Sequence, residues 1–153
     1  MSVTPFPTAF PQHERPWHAT TVPLGESIRA LALSLKSASP ASDRSLRTQL
    51  RGLLDPIREA FAEHRAATEG DHGLYAAVVN DAPRLAHTVD GLVAEHHALD
   101  RAMDTLARWA DEVSADAEAL RRRALDILGE LSRHRQHDAD LVYEAYSTDI
   151  GGE

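Results

Sequence analysis

Apolar side chains recur along this sequence at alternating intervals of three and four residues, and this spacing limits the fold more than any other feature. The longest series runs from residue 85 to residue 106: Leu85, Val89, Leu92, His96, Leu99, Met103 and Leu106. Because an α-helix has ~3.6 residues per turn, such positions form one face that must be buried against other helices. The spacing therefore predicts a helix that packs in a bundle.

Three other segments show a similar face. Its members are Val22, Gly25, Ile28, Ala32 and Leu35 in the first segment, Leu50, Leu53, Leu54, Ile57, Phe61 and His64 in the second, and Leu120, Ala124, Ile127, Leu131, His134, Asp138, Leu141 and Ala145 in the last. Residues 37–43, residues 80–83 and the region near Ser114 have the composition of loops. Connections this short force neighbouring helices to be antiparallel. The expected fold class is all-α, an up-down-up-down antiparallel four-helix bundle.

The two ends of the chain differ from its middle. Residues 1–17 are rich in proline, which lacks a backbone donor and interrupts helices. We expect them to form an extended leader, residues 18–148 to form one bundle domain, and residues 149–153 to form a flexible tail.

Composition excludes several kinds of function. The 24 acidic residues outnumber the 16 Lys and Arg residues and give a net charge of −8, so no nucleic-acid partner is expected. The absence of cysteine excludes disulfides, iron–sulfur clusters and thiolate zinc sites, which leaves histidine and carboxylate as metal ligands. No signal-like or membrane-spanning apolar segment is evident, so a cytoplasmic protein without a membrane partner is expected.

Histidines interrupt three of the apolar faces, at positions that should lie in the core. In an antiparallel pair, two residues share a level when they are equally distant from the connecting turn. With a turn at about residue 80, His64 and His96 each lie about 16 residues from it; with the next turn at about residue 115, His96 and His134 each lie about 19 residues from it. The three histidines are therefore expected at one level of the bundle, with Asp138 one turn beyond His134.

The same comparison can be made for the first helix. With its turn near residue 41, the position level with His64 is residue 18, which is His18.

Although one buried histidine is more often a hydrogen-bonded structural residue than a metal ligand, several buried histidines at one level are harder to explain without a metal. Each unsatisfied buried polar group costs ~1–3 kcal/mol against a total stability of ~5–15 kcal/mol. Imidazoles with carboxylates suit iron or manganese, and bundle interiors hold such sites.

Two stretches resemble the hemerythrin-like (HHE) family. Residues 92–99 are similar to its third-helix pattern Leu-x-x-Glu-His-x-x-Leu, and residues 134–143 are similar to its fourth-helix pattern His-x-x-x-Glu-x-x-x-Leu-Phe/Tyr, with Asp138 in the carboxylate position. The resemblance covers roughly residues 18–147. It implies a non-haem di-iron centre, bridged by oxo or hydroxo and by carboxylates, with these metal ligands: His18, His64, Glu69, His96, His134 and Asp138.

Two parts of the sequence depart from the family pattern. On the second helix, Thr68 stands four residues after His64 and the carboxylate of Glu69 stands five residues after it. A residue at i+5 lies ~140° around a straight helix, so Glu69 can reach the site only if the helix is overwound or contains a π-bulge. On the first helix, matching Ile28 and Arg29 to the family pattern puts Gly25 at the ligand position, which leaves open whether His18 or no residue fills that role.

The resemblance implies binding or sensing of dioxygen, nitric oxide or peroxide. Two alternatives stay open: a di-iron oxidase of a small molecule, and a metal-free bundle that serves as an interaction module. The sequence contains no nucleophile-and-base arrangement and no phosphate-binding glycine loop, so any enzymatic reaction would be metal-dependent oxidoreductase or peroxide chemistry. The expected partner is a small diatomic molecule or peroxide, and a homodimer is left open.

Overall fold

Long amphipathic helices dominate the structure, a computed structural model that describes residues 16–37 and 43–147, with the side chains of residues 24–36 and 44–147. The helices are α1 (Pro16–Ser37), α2 (Asp43–Glu69), α3 (Leu74–Asp81), α4 (Ala86–Asp111) and α5 (Ala117–Tyr146). A 3-10 turn, Pro83–Leu85, joins α3 to α4. The described residues include no strand, and the predicted all-α four-helix bundle is confirmed, with α3 as an additional short helix.

The four long helices surround one interior. α1 packs against α2 and α5, and α4 packs against the same two helices from the other side. Ion pairs between α2 and α4 show that these helices run in opposite directions: Arg51 with Asp111, Arg58 with Asp104, and Arg65 with Asp100. The pattern of buried apolar residues in the sequence therefore corresponds to the interior of the bundle.

The connection between α4 and α5 is fixed by side chains that bond to its backbone. Asp116 caps α5 by accepting a hydrogen bond from the backbone nitrogen of Ala119. The Arg47 guanidinium on α2 donates to the carbonyls of Glu112 and Ala115. These bonds hold the turn that determines which residues of α4 and α5 are level.

Two hydrophobic clusters fill the interior and a polar layer separates them. The larger cluster includes Phe61, Leu99 and Leu131, and the smaller includes Tyr75, Leu92 and Leu141. Along α4, His96 lies between Leu92 of the smaller cluster and Leu99 of the larger. The helices thus bury polar side chains at one level, between two apolar regions that pack separately.

Several sequence-based expectations concern residues that the structure does not describe. The leader predicted for residues 1–17 lies outside the described residues up to residue 15, and the tail predicted for residues 149–153 lies wholly outside them. The side chain of His18 is also outside, although its backbone belongs to α1. Among the described helices, none combines the length and apolar character needed to cross a membrane.

Candidate metal centre

Four buried side chains from three helices meet in the polar layer. His64 comes from α2, His96 from α4, and His134 and Asp138 from α5; they are 0%, 0%, 1% and 5% exposed, respectively. Each offers one nitrogen or oxygen ligand atom, and these atoms all lie within 4.8 Å of one another. We call these four residues the His3Asp cluster.

Helical spacing explains how the sequence builds the cluster. His134 and Asp138 are four residues apart, so their side chains project from the same face of α5, and His134 Nε2 lies 3.2 Å from Asp138 Oδ2. His64 Nε2 approaches the same oxygen to 3.0 Å from the neighbouring helix α2. Three donor atoms from two helices therefore surround one point.

Distances within the cluster match those between ligands of a single ion. Two atoms that are each ~2.1 Å from a metal are ~3.0 Å apart at a right angle and ~3.4 Å apart at the tetrahedral angle. The separations of 3.0 Å and 3.2 Å to Asp138 Oδ2 fall within this interval. So does the 3.3 Å between the Nε2 atoms of His64 and His134.

One carboxylate oxygen in this layer has close neighbours and yet makes no hydrogen bond. Among the described residues, Asp138 Oδ2 is a fully buried acceptor without a hydrogen-bond partner, although two imidazole nitrogens approach it. An unsatisfied buried carboxylate oxygen is costly, and a cation would satisfy it. The side chains present therefore fit a metal ion.

Two further carboxylates bond to the outer nitrogens of two of the three imidazoles. Glu69 Oε1 lies 2.5 Å from His96 Nδ1, and Glu95 Oε2 lies 2.7 Å from His134 Nδ1. When Nδ1 donates to a carboxylate, Nε2 is left as the acceptor atom, which is the arrangement seen in metal-binding histidines. The other oxygen of Glu95 bonds to His137 Nδ1 at 2.8 Å, and His137 is 48% exposed.

Aromatic side chains complete the layer. Tyr75, from the short helix α3, donates a hydrogen bond of 2.6 Å to Asp138 Oδ1, and its hydroxyl lies 3.3 Å from His96 Nε2. Phe61 contacts the rings of His64, His96 and His134 from the side of the larger cluster. The donors are thereby shielded from water and fixed in orientation.

Burial and neighbouring charges set the ionisation of these groups. Burial lowers the pKa of His96 to about 4, which leaves its imidazole neutral near neutral pH. Burial also disfavours the charged form of His134, but the adjacent Asp138 and Glu95 carboxylates outweigh it and raise the pKa of His134. Burial disfavours the charged form of Asp138, but the adjacent imidazoles of His134 and His64 and the hydrogen bond from Tyr75 outweigh it and lower the pKa of Asp138. Burial, followed by the Asp138 charge, raises the pKa of Tyr75 and keeps the phenol protonated.

Comparison with protein families adds an independent observation. Residues 24–146 match the model of the hemerythrin HHE cation-binding domain. The chain belongs to the hemerythrin HHE family. Its match begins after His18 and includes every member of the His3Asp cluster. Comparisons of this hemerythrin-family chain with curated proteins and with solved structures give no significant match.

The structure brings together four of the six ligands predicted for this hemerythrin-family site. These four are the members of the His3Asp cluster. Glu69 does not join them, because its carboxylate is bonded to the opposite edge of the His96 ring and α2 remains an α-helix up to its end at Glu69. The side chain of His18 is outside the described residues, so its role stays a prediction.

Sequence reasoning missed two residues of the layer. The helical pattern gives no role to Tyr75, and it leaves open whether Glu95 supports His96 or is simply exposed. Glu95 instead bonds to His134 on the adjacent helix, since consecutive helical residues point ~100° apart. An acidic residue immediately before a core histidine could have indicated this cross-helix contact.

Proposed function

We propose that this hemerythrin-family protein binds iron at His64, His96, His134 and Asp138, and that it uses the iron to bind or sense dioxygen, nitric oxide or peroxide. The observation that supports the proposal best is the meeting of three imidazole nitrogens and an unsatisfied carboxylate oxygen in a buried layer. Membership of a cation-binding family points to the same conclusion.

The donor set favours iron among the metals that proteins use. Imidazole nitrogens suit iron, zinc, copper and nickel, while carboxylate oxygens with imidazoles and an open position are typical of non-haem iron(II) sites. Bound iron would supply a Lewis-acidic centre that can change its charge by one electron. The protein would orient the donors through Glu69 and Glu95 and exclude bulk water with Phe61.

The space beside the cluster fits a small ligand. A cavity of about 210 Å³ reaches His134 and is also lined by Glu95, Leu99 and His137. Sites for drug-sized organic molecules usually occupy ~300–1,000 Å³. This cavity is therefore large enough for a diatomic molecule or peroxide, as the proposed function requires.

A di-iron centre remains part of the proposal. Within the described part of the chain, the His3Asp cluster supplies ligand atoms for one ion, and a second would depend on Glu69 and on His18. Glu69 would have to leave His96 Nδ1 to coordinate. Counting irons per chain in wild-type protein and in Glu69→Gln and His18→Ala variants tests this part separately.

Metal analysis of protein produced in iron-supplemented medium tests the central claim. Wild-type protein is expected to contain iron, whereas His96→Ala and His134→Ala should lose most of it because each removes a donor. His97→Ala is the matched control, since His97 is the exposed neighbour of His96 on α4. A wild-type protein that folds but binds no iron would contradict the proposal and favour an interaction module.

The choice of ligand requires a second measurement. Reduced, iron-loaded protein is exposed separately to dioxygen, nitric oxide and peroxide, and its visible absorption is followed. At least one of these should change the spectrum, and the change should be absent from His134→Ala. Consumption of a panel of organic substrates, with no response to the three small ligands, would instead support the oxidase.

A further inference from the structure

We propose that the phenol oxygen of Tyr75 is itself a metal ligand, which occupies the position left by the missing carboxylate of the second helix. This inference rests on the proposed function, because it assigns a further donor to the same iron site. It begins from a hydroxyl that lies inside the polar layer on a residue that is only 3% exposed.

Thr68 is the residue that creates the vacant donor position. It lies four residues after His64, on the same face of α2, and is 1% exposed. Its hydroxyl donates to the His64 carbonyl at 2.8 Å, so it is turned towards its own helix. A side chain bonded in this way supplies no ligand to the site.

Tyr75 approaches the cluster from another helix, α3. Its hydroxyl is 3.3 Å from His96 Nε2, which equals the separation between the Nε2 atoms of His64 and His134. Two ligands of one ion have this spacing at an angle near the tetrahedral value. The bond of 2.6 Å to Asp138 Oδ1 places the same hydroxyl against the cluster's only carboxylate. The phenol oxygen is therefore positioned as a neighbouring donor.

The proton balance of coordination follows from the chemistry of a phenol. Tyr75 would bind as the phenolate, and its proton would be released to solvent as the metal binds. Glu69 and Glu95 bond to the outer nitrogens of His96 and His134 and are not donors to the ion, so the phenolate would be the second anionic donor beside Asp138.

The backbone of the α2–α3 connection explains how Tyr75 comes so close. A Cβ at Gly73 would overlap the carbonyl oxygen of Ala67 and lie 2.7 Å from that of Thr68. Because residue 73 has no side chain, α3 can begin directly against the end of α2. This close approach brings Tyr75 beside Thr68 rather than one turn farther from the site.

Optical spectroscopy tests the inference on full-length protein loaded with iron(II) and oxidised in air. Wild-type protein should show a visible phenolate-to-iron(III) charge-transfer band, and Raman excitation within that band should enhance phenolate ring vibrations. Tyr75→Phe should lose both signals while it still binds iron, with affinity lowered by roughly tenfold or more. Tyr143→Phe is the matched control, since Tyr143 is 68% exposed and should leave both signals unchanged.

The competing interpretation is that Tyr75 only holds Asp138 through its hydrogen bond. In that case wild-type protein binds iron without phenolate signals, and this result overturns the inference but leaves the proposed function intact. Signals that persist in Tyr75→Phe would also overturn it. A wild-type protein without iron refutes the proposed function itself. If Tyr75→Phe fails to fold, the presence or absence of phenolate vibrations in the Raman spectrum of the wild type still tests whether a tyrosine coordinates the iron.

Discussion

Single residues outside the His3Asp cluster determine which nitrogen His96 and His134 present to it. Glu95 bonds to His134 Nδ1 with one oxygen and to His137 Nδ1 with the other, so one carboxylate orients a buried ring and a partly exposed ring together. Glu69 orients His96 in the same way. These contacts orient the two buried rings so that their Nε2 atoms face the interior of the cluster.

Replacing Glu95 should weaken metal binding without removing a ligand. Glu95→Gln keeps the shape of the side chain but loses the charge that favours the correct form of His134, so we expect iron affinity to fall about tenfold to a hundredfold. Competition with a chelator measures the change. Glu63→Gln, an exposed substitution on α2, serves as the control and should bind like wild type. Equal affinities in all three proteins would show that Glu95 has no orienting role.

The metal-free protein should lose stability as pH falls from about 6.5 to about 4. Burial lowers the pKa of His96 to about 4 in the folded chain from the ordinary 6.5, so between these values the unfolded chain binds the additional proton. The free energy of unfolding should therefore fall by on the order of 3 kcal/mol across this window.

Urea denaturation at several pH values measures this slope. His96→Gln should flatten it, while His97→Gln, which changes an exposed neighbour, should retain it. A slope that is the same in wild type and His96→Gln would assign the effect to other groups. The raised pKa of His134 acts in a different window, because its contribution is complete below its unfolded pKa and is lost as pH rises through the folded value.

Residue periodicity could predict the His3Asp cluster because its members occupy long helices on either side of short turns. Counting residues from each turn was sufficient to place His64, His96 and His134 at one level. Tyr75 could not be found in this way, since it lies within the connection from which the counting began. Helical period also could not show that Glu69 would bond to the outer edge of His96, because that contact depends on a side chain of another helix.

At the scale of elements, the short helix α3 is the feature that distinguishes this bundle from four helices joined by simple turns. The helix α2 ends at Glu69, directly before Gly70 and close to Gly73, where glycine weakens a helix. The sequence did not indicate that residues 74–81 form a separate helix, since this segment is short and apolar without a distinctive period. Packing of Leu74, Tyr75 and Val78 in the smaller cluster stabilises α3.

Gly73→Ala should destabilise this element. The added methyl group would overlap carbonyl oxygens at the end of α2, so α3 would have to move away, at an expected cost of about 1–3 kcal/mol. Gly91→Ala is the matched control, because a Cβ at Gly91 meets no atom of the described residues within 4 Å. In the middle of α4, alanine should stabilise the protein by about 0.5–1 kcal/mol. Thermal denaturation that gives both variants the same sign would contradict this expectation.

At the scale of the whole molecule, the polar layer divides the interior into two clusters of unequal size. The larger is formed by all four long helices, whereas the smaller depends on α3 and the facing ends of α4 and α5. Without a metal, His64 of α2 and His134 of α5 contact each other at the layer, and the Tyr75 hydroxyl of α3 contacts His96 of α4 and Asp138 of α5. A bound ion would join the same helices through direct ligand bonds and would stabilise the folded state according to its concentration and affinity.

Metal binding should therefore protect the smaller cluster most. Its few elements give it the lower local stability, so in metal-free protein the segments 74–85 and 141–146 should open more readily than the segments around Leu50 and Met103. Hydrogen exchange measured with and without iron should show slower exchange in the first two segments, by roughly tenfold or more, and a smaller change in the others. The His134→Ala variant should show no such difference, because its ion would lack a ligand from α5. Uniform protection of both clusters would mean that the two apolar regions unfold together and that the layer does not separate them energetically.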